Sequence, residues 1–369
     1  MSESSNLSNP RDDDVAEGSC CAPARGTAHD GTEAGDAAPA ASLSDTGGAV
    51  VSAIDFVDIP AGTFTMGSDA PSRWPGDGEG PQRRITLDAY RIARHTVTND
   101  QFAAFVRATG HVTDAERYGW TFVFHLFLPD DFPPTRAVAA APWWRQVEGG
   151  DWSHPFGPQS DLTDLGDHPV VHLSWNDAQA FCAWAGVRLA TEAEWERAAR
   201  GGLDGARYPW GDEFAPGGTT MCNIFEGEFP ISNTAADGYV GTAPVDAFAP
   251  NGFGLHHMAG NVWEWCADWF SPRHSAAAAA NPTGPSTGSQ RVMRGGSYLC
   301  HDSYCDRYRV VARTSNEPDS STGNLGFRVV ADAVRRNSSV VDPHRRAQGE
   351  EAPAPDQVHD GVRHANTAV

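Results

Sequence analysis

The sequence of 369 residues contains no lysine, so arginine supplies all 27 of its permanently basic side chains. Acidic residues number 48, which leaves a formal net charge of −21 at pH 7. A chain this acidic is a poor direct partner for nucleic acid or for an anionic membrane. Codon usage is the simplest reason for the missing lysine, although arginine is also the better residue for planar, bidentate contacts.

Long apolar runs and a basic leader are also missing. No segment approaches the apolar length with which a helix spans a bilayer. Residues 1–6 begin neither the basic stretch nor the apolar stretch of a secretory signal, so we expect the cytoplasm. Structural disulfides do not persist in that reducing compartment, and the seven cysteines are therefore predicted to be thiols.

Large apolar residues are scarce at both ends of the chain. Residues 1–50 and 334–369 cannot bury enough apolar surface to offset the entropy lost on ordering, so we predict two disordered tails. The residues between them, 51–333, contain no linker and are predicted to form one domain. No fixed-period repeat is visible, which argues against a solenoid or a propeller.

Glycine, proline and tryptophan are abundant, which favours a loop-rich domain with short elements. Predicted helices, each with a Thr or Ser cap and a terminal glycine, cover residues 98–110, 174–186 and 191–201. Alternating and β-branched residues predict short strands over 56–59, 64–66, 84–92 and 326–330. The common nucleotide, zinc-protease and esterase motifs are not found in the sequence.

The most informative segment is 294–309, in which Cys300 and Cys305 lie among aromatic, hydroxyl and arginine side chains. Their spacing differs from the C-x2-C steps of zinc sites and of thioredoxin-like redox helices. Thiolates select Cu(I), zinc or iron–sulfur centres, and two thiolates alone leave a zinc site incomplete. The pair suits Cu(I) and leaves room for a third sulfur from a substrate. Core packing of two cysteines is the alternative interpretation.

Two polar segments are weaker candidates for ion binding. Asn and Asp side chains between Cys222 and Tyr239 suit a hard cation such as calcium, but Asx turns that only shape a loop explain them better from sequence alone. The second segment, 254–269, contains three tryptophans and suits a buried core strand. Within it, Glu264 is a candidate for an ion ligand or for one partner of a buried ion pair.

The globular part of the chain resembles the formylglycine-generating enzymes, the oxygen-dependent activators of sulfatases. Its Met-Gly-Ser, Thr-Glu-Ala-Glu-Trp-Glu and Gly-Asn-Val-Trp-Glu-Trp motifs belong to a wider superfamily, whereas the segment with Cys300 and Cys305 is much more specific to the oxidase. The resemblance covers nearly all of residues 55–331. Besides that segment it is carried by residues 59–68, 141–144, 168–177, 188–196, 251–254, 260–265 and 324–328.

The resemblance implies an α+β fold, a variant of the C-type lectin fold with little regular secondary structure. It implies conversion of the cysteine of a C-x-P-x-R sequence in an unfolded sulfatase chain to Cα-formylglycine, with molecular oxygen and a thiol reductant. Cys300 and Cys305 match the thiols that bind Cu(I), and the substrate thiolate would be the third ligand. By the same resemblance Cys305 can form a mixed disulfide with the substrate, and Ser297 and Trp263 line the oxygen pocket. We expect no nucleic-acid or membrane partner, and a monomer.

The resemblance also implies bound calcium. One calcium site matches Asn223, Ile224, Asp237 and Tyr239, and part of a second matches Gly260, Val262 and Glu264. Relatives often have Asn or Asp where this chain has His257, so the occupancy of the second site is left open. The disulfide partners of secreted relatives match Ala199, Val310 and Val329, so Cys182 is predicted to be unpaired.

Two other functions stay open at the level of sequence. One is a non-catalytic ligand-binding protein on the same lectin-like scaffold, because fold does not settle function. The other is an iron-dependent sulfoxide synthase, but the chain shows no H-x3-H-x-E motif and lacks the length for the additional helical domain of those enzymes. The C-x4-C pair favours the oxidase, since a binding module has no need for it.

The predicted N-terminal tail contains Cys21-Ala-Pro-Ala-Arg25, which itself fits C-x-P-x-R. A self-substrate or a tethered competitor for the active site is one interpretation, favoured by a high effective concentration. Coincidence in an alanine- and proline-rich tail is the other. For the arginine of a substrate we expect acidic or aromatic groups at the cleft. Trp120 is a candidate for the groove wall and, alternatively, a core aromatic.

Overall fold

Short strands and long loops dominate the computed structural model, which describes residues 21–26, 54–71 and 74–333. Its α-helices in these ranges are α1 (Asn99–Thr109), α2 (Asp114–Tyr118), α3 (Trp175–Ala185) and α4 (Glu192–Arg200). The predicted C-terminal tail, 334–369, lies outside the described residues, as do residues 1–20 and 27–53. No helix in the described ranges is long and apolar enough to cross a membrane.

Capping boxes determine where the helices begin. The hydroxyls of Thr98, Ser174 and Thr191 each accept a hydrogen bond from the backbone N–H three residues on, and the side chain at that position bonds back to the cap. Each of these helices ends at a glycine in the left-handed conformation. The three predicted helices are confirmed. The short helix α2 was not predicted, although Thr113 forms the same capping box there.

The strands are brief and distributed over several small sheets. In chain order they are β1 (Phe56–Ile59), β2 (Gly62–Met66), β3 (Arg83–Leu87), β4 (Tyr90–Ala93), β5 (Trp120–Phe124), β6 (Ala137–Val138), β7 (Ala141–Glu148), β8 (Arg188–Leu189), β9 (Gly227–Glu228), β10 (Ser232–Asn233), β11 (Trp263–Trp269), β12 (Ala279–Ala280), β13 (Arg291–Arg294), β14 (Arg313–Asn316), β15 (Leu325–Phe327) and β16 (Val329–Asp332). The two four-stranded sheets have the orders β1-β4-β16-β8 and β14-β13-β11-β15. Smaller sheets are β12-β3-β2, β5-β7-β6 and the pair β10-β9.

Two predicted strands are each divided in the structure. The residues predicted as 84–92 form β3 and β4, and those predicted as 326–330 form β15 and β16, with the members of each pair in different sheets. Between β15 and β16, the fully buried side chain of Arg328 pairs with Glu264 on β11. Between β3 and β4, the N–H of Asp88 donates to the side chain of Asn281 at 2.9 Å. Strand propensity does not reveal such a change of sheet, because tertiary contacts of single residues cause it.

Buried arginines connect α4 to the sheet that contains β13 and β14. Arg313 donates two hydrogen bonds to the carboxylate of Glu192, and Arg294 donates one to Glu196. Burial alone would raise the pKa of Glu192, but Arg313 and Arg294 lower it to about 2. The planar, bidentate contacts that favour arginine over lysine thus occur within the core.

Candidate active site

The loop between β13 and β14, residues 295–312, doubles back and brings Cys300 and Cys305 into the core. Near its start, Gly296 has a φ of 74°. A Cβ atom on Gly296 would lie 2.7 Å from the carbonyl oxygen of Arg307, which is closer than real Cβ contacts allow. Glycine is therefore required for the two arms of the loop to approach this closely.

Both cysteines of this loop are thiols, and each is 1% exposed. The N–H of Cys305 donates to the carbonyl oxygen of His301 at 2.8 Å, and the two cysteine side chains are hydrogen-bonded to each other. Burial raises the pKa of Cys300. The contact with Cys21 lowers the pKa of Cys305, but the contact with Cys300 and burial together raise it well above its usual value. Burial thus opposes formation of a thiolate, which a bound cation would favour.

A third cysteine, Cys21, completes the group. Its side chain is hydrogen-bonded with those of Cys300 and Cys305, and it is 6% exposed. Nη1 of Arg307 lies 3.0 Å from the Cys21 sulfur. Asp77 accepts two hydrogen bonds from the same guanidinium, at 2.6 and 3.0 Å, and these fix its direction. Three sulfur atoms therefore converge beside a cation whose position is set by a buried carboxylate.

These sulfur atoms are in hydrogen-bond contact with one another. No set of three His, Cys, Asp or Glu side chains in the described part of the chain is arranged as a formed metal site. The fit to Cu(I) therefore rests on the chemistry of the donors, since thiolates are the soft ligands that Cu(I) selects.

Two buried asparagine side chains hold the backbone that follows Cys21. Nδ2 of Asn324 donates to the carbonyl oxygen of Cys21 at 2.9 Å. Nδ2 of Asn316 donates to the carbonyl oxygens of Ala22 and Pro23, at 3.0 and 3.2 Å. Ala22 is completely buried. The groove thus binds three successive carbonyl groups through donors that are independent of the side chains in the segment.

Arg25 occupies the far end of the same groove. Its guanidinium lies over the rings of Tyr118 and Trp120, with 4.4 and 4.3 Å to the ring centroids. Nη1 donates to the carbonyl oxygen of Trp120 at 2.9 Å, Nη2 to Oγ of Ser321 at 2.7 Å, and Nε to the carbonyl oxygen of Asp319 at 3.0 Å. Burial lowers the pKa of Arg25. Trp120 is confirmed as part of the groove wall, whereas no sequence signal pointed to Ser321.

The seating of residues 21–26 differs from the prediction of a disordered tail over residues 1–50. Burial of Cys21 and Ala22 and the contacts of Arg25 offset the entropy of ordering these six residues. Average composition does not register so short a segment, because its partners are supplied by a groove far away in sequence.

A small cavity of about 10 Å³ lies beside the three sulfur atoms. That volume is close to what one water molecule needs. Ser297 forms part of its wall, and the other lining residues besides the cysteines are Trp143, Trp144, Phe229, Leu299 and Tyr304. Trp263 is fully buried in the same core cluster as the thiols but does not line the cavity.

Ser297 links the cavity to the groove. Its hydroxyl oxygen accepts a hydrogen bond from Nδ2 of Asn324 at 3.0 Å, the same amide that holds the carbonyl of Cys21. Its backbone N–H points at the sulfur of Cys300, 3.4 Å away. Asn324 therefore couples the position of the bound segment to the position of Ser297.

The four residues predicted for the first calcium site lie together. The Asp237 carboxylate accepts hydrogen bonds from the N–H groups of Ile224, at 3.1 Å, and Tyr239, at 3.0 Å. Burial raises the pKa of Asp237. Asn223 is fully buried, and its Oδ1 has no hydrogen-bond partner. A buried carbonyl oxygen without a donor and a partly desolvated carboxylate are groups that a hard cation would satisfy, so these residues fit calcium.

The second predicted calcium site has a different character. Both oxygens of Glu264 accept hydrogen bonds from Arg328, and Oε2 also accepts one from Trp195 at 2.7 Å. Of the two roles considered for Glu264, the structure shows the buried ion pair. A cation here would have to share the carboxylate with a guanidinium, so the side chain does not fit calcium well. Gly260 and Val262, the other residues predicted for this site, precede Glu264 in the sequence and are also buried.

At the position that was left open, the imidazole of His257 is buried, and its Nδ1 has no hydrogen-bond partner in the described residues. Its Nε2 lies 3.0 Å from the carbonyl oxygen of Pro244, and burial lowers its pKa to about 3. The prediction for Cys182 is confirmed, since this buried residue is in no disulfide.

Fold and site together describe a lectin-like α+β protein with a peptide groove that ends at a buried cysteine pair. A family model described as the sulfatase-modifying factor enzyme 1-like domain matches residues 44–333. The chain belongs to this FGE-sulfatase family.

Individual relatives agree with this assignment. A protein of Thermomonospora curvata named formylglycine-generating enzyme is 59% identical over 284 residues, which cover 76% of this chain and 94% of the relative. A protein of Streptomyces coelicolor with the same name is 56% identical over 288 residues, or 78% of this chain and 92% of the relative. The solved structure of PvdO from Pseudomonas aeruginosa is similar with a TM-score of 0.55 and 26% identity, over 75% of this chain and 94% of that one.

Proposed function

We propose that this protein is an oxidase that converts the cysteine of a C-x-P-x-R sequence in a sulfatase polypeptide to Cα-formylglycine. The observation that carries the proposal is the seating of a Cys-Ala-Pro-Ala-Arg segment in the groove. Its sulfur meets Cys300 and Cys305, and its arginine lies against two aromatic rings. The relatives named formylglycine-generating enzyme, at 59% and 56% identity, support the same activity.

The groove favours an unfolded client. Three successive carbonyl groups are bound by Asn316 and Asn324, so a client segment must offer backbone that is not engaged in its own secondary structure. The position after the cysteine is completely buried at Ala22, which favours a small residue there. The variable position before the arginine, Ala24, is partly exposed and should tolerate more variation.

We also propose that Cys300 and Cys305 hold Cu(I), with the client cysteine as a third sulfur ligand. When bound, copper would activate molecular oxygen for the oxidation. The chain itself supplies Arg307, whose fixed positive charge favours the thiolate form of the client cysteine. We propose the small cavity at Ser297, which Trp143 and Trp144 help to line, as the place where dioxygen would bind.

The proposed reaction balances with a thiol reductant. The carbon of the CH2–SH group loses two electrons on becoming an aldehyde, and the sulfur leaves as hydrogen sulfide. Dioxygen accepts four electrons, two from this carbon and two from a pair of reductant thiols that form a disulfide. One oxygen atom ends in the aldehyde and the other in water.

For calcium we propose one structural ion, held by Asn223, Ile224, Asp237 and Tyr239. The unpartnered Oδ1 of Asn223 and the carboxylate of Asp237 support this site. Such an ion would fasten a long irregular segment near the groove without contacting the thiols.

Peptide turnover tests the oxidase. The copper-loaded wild-type protein should convert a C-x-P-x-R peptide to the aldehyde in the presence of oxygen and a thiol. Cys300→Ala and Cys305→Ala should lose turnover but still bind the peptide through Asn316 and the arginine site. Cys182→Ala removes a buried thiol that does not line the cavity and should retain turnover. Undiminished conversion by both Cys300→Ala and Cys305→Ala would contradict the proposal.

A further inference from the structure

The chain's own segment, residues 21–25, satisfies every element of the groove at once. The sulfur of Cys21 contacts the two thiols and Arg307. The backbone carbonyl oxygens of Cys21 and Ala22 accept hydrogen bonds from the two asparagines, and the guanidinium of Arg25 lies over the aromatic rings. Such agreement at the cysteine, the backbone and the arginine is not expected of an alanine- and proline-rich stretch that lies there by chance. It favours the interpretation in which the C-x-P-x-R motif is a specific ligand of the groove.

The groove residues also need this segment, or one like it, as a partner. Asn316 is 1% exposed and Asn324 is completely buried, and both direct their amide groups into the groove. These burial values hold with the segment in place, so the amide donors that the segment covers are satisfied by its carbonyl oxygens and not by water. The groove is therefore built for a peptide backbone, and this chain supplies one.

We propose that Cys21 is itself a modification site, which the protein converts to Cα-formylglycine in its own groove. This rests on the proposed function, because the same reaction is applied to a segment of the same chain. The Cβ–S bond of Cys21 breaks, the sulfur leaves as hydrogen sulfide, and the carbon becomes an aldehyde. Dioxygen is reduced by two electrons from that carbon and two from a thiol reductant.

Conversion of Cys21 changes how firmly the segment is held. The sulfur is the atom that contacts Cys300, Cys305 and Arg307, and the product lacks it. The modified segment therefore binds more weakly than the thiol form and yields the groove to a client. Before modification the two compete for the groove, and the segment has the advantage of an intramolecular ligand.

Mass spectrometry of the N-terminal peptide tests the modification. In copper-loaded wild-type protein supplied with oxygen and a thiol, Cys21 should change by the mass difference between CH2–SH and CHO and react with a hydroxylamine probe. Arg25→Ala removes the guanidinium from the aromatic site and should slow this conversion by roughly tenfold or more. The matched control is Ala24→Ser, which keeps the motif and should be converted like the wild type.

Dilution and peptide binding supply readouts that separate this inference from general activity. If conversion occurs within one chain, the fraction of Cys21 converted per unit time does not change on tenfold dilution of the protein. In copper-free protein, a labelled C-x-P-x-R peptide should bind more tightly to Arg25→Ala than to the wild type, because the competing segment is weakened. Ala24→Ser should bind the labelled peptide like the wild type.

Each contrary result has a distinct meaning. If an added client peptide is converted while Cys21 stays a thiol, the modification is refuted and the proposed function stands. If neither is converted, the proposed function fails and this inference fails with it. Equal binding of the labelled peptide by wild type and Arg25→Ala would show that the segment does not occupy the groove. A fraction of Cys21 converted per unit time that falls on dilution would refute conversion within one chain.

Discussion

Arg307 and Asp77 form a buried, two-point ion pair that aims one guanidinium nitrogen at the sulfur of Cys21. The two hydrogen bonds to the carboxylate are 2.6 and 3.0 Å long, and the remaining Nη1 is 3.0 Å from the sulfur. The pair thus fixes a donor at the sulfur atom that the proposed reaction would remove. A lysine could not contact both carboxylate oxygens and the sulfur in the same way.

Replacement of this arginine should weaken binding through the sulfur alone. Arg307→Lys should lower the affinity for a C-x-P-x-R peptide by about tenfold, the equivalent of one charge-assisted hydrogen bond. Affinity for the same peptide with alanine in place of cysteine should not change. Fluorescence anisotropy on copper-free protein, in an Arg25→Ala background that weakens the chain's own segment, measures both.

The control for this prediction is Arg309→Lys. Arg309 pairs with Glu79 and Asp306, and no contact joins it to the Cys21 sulfur in the described residues. It should lower the affinity for neither peptide. Equal losses for the cysteine and alanine peptides in Arg307→Lys would mean that the arginine acts on the groove as a whole and not on the sulfur.

A second prediction concerns the cavity beside the thiols. Ser297→Thr keeps the hydroxyl but adds a methyl group to a cavity of only about 10 Å³. The Michaelis constant for oxygen should rise by about tenfold, while that for the peptide stays the same. Initial rates against dissolved oxygen at saturating peptide measure this. Ser297→Ala adds no volume and should lower kcat without raising the Michaelis constant for oxygen; the reverse pattern would argue against the cavity as the oxygen site.

A third prediction concerns calcium. The wild-type protein should unfold at a higher temperature with calcium than with a chelator. At a free calcium concentration of one hundred times the dissociation constant, binding should add about 2.7 kcal/mol to the free energy of unfolding. Asp237→Asn should abolish this response, because it removes the carboxylate of the proposed site. Asp161→Asn, a change at an exposed aspartate, should keep it. An identical unfolding temperature of the wild type with calcium and with chelator would exclude the site.

A fourth prediction concerns the buried arginine pairs. The pKa of Glu192 is about 2 in the folded protein, against 4.5 for an unperturbed glutamate. A lowered pKa means that this carboxylate stabilises the fold fully above pH 4.5, and that the contribution is lost as the pH falls towards 2. Glu192→Gln should cost about 3 kcal/mol at pH 7. The deficit should shrink across that acid range.

Chemical denaturation at several pH values measures this difference. Asp332→Asn is the matched control, since the side chain of Asp332 is 91% exposed in its pair with Arg188. It should change stability by less than about 1 kcal/mol at any pH. A deficit in Glu192→Gln that is the same at pH 3 and pH 7 would show that charge is not its cause.

Local signals in the sequence were sufficient for some elements and not for others. The three main helices follow from capping boxes at Thr98, Ser174 and Thr191, whose hydrogen bonds span only three residues. The pairing of Cys300 with Cys305 follows from their short separation. The cytoplasmic location stays a prediction.

The groove could not be predicted in the same way, because its parts are distant in sequence. Asn316 and Asn324 bind residues that are 294 and 303 positions away in the sequence, and no pattern marks an asparagine as a peptide ligand. Trp143 and Trp144 become cavity walls only because β7 packs against the loop of the thiols. Trp120 was identified as a candidate because an arginine of the substrate is expected to bind aromatic groups. That reasoning starts from the ligand and not from a pattern in the sequence.

The use of arginine at the reacting sulfur has a further chemical consequence. A protein that makes an aldehyde in a closed groove endangers itself if a primary amine lies beside the product, because the two condense to a Schiff base. A guanidinium stays protonated and does not react in this way. Arg307 can therefore remain within contact distance of the carbonyl group that the proposed reaction would form, and since the sequence has no lysine, no lysine side chain could capture it.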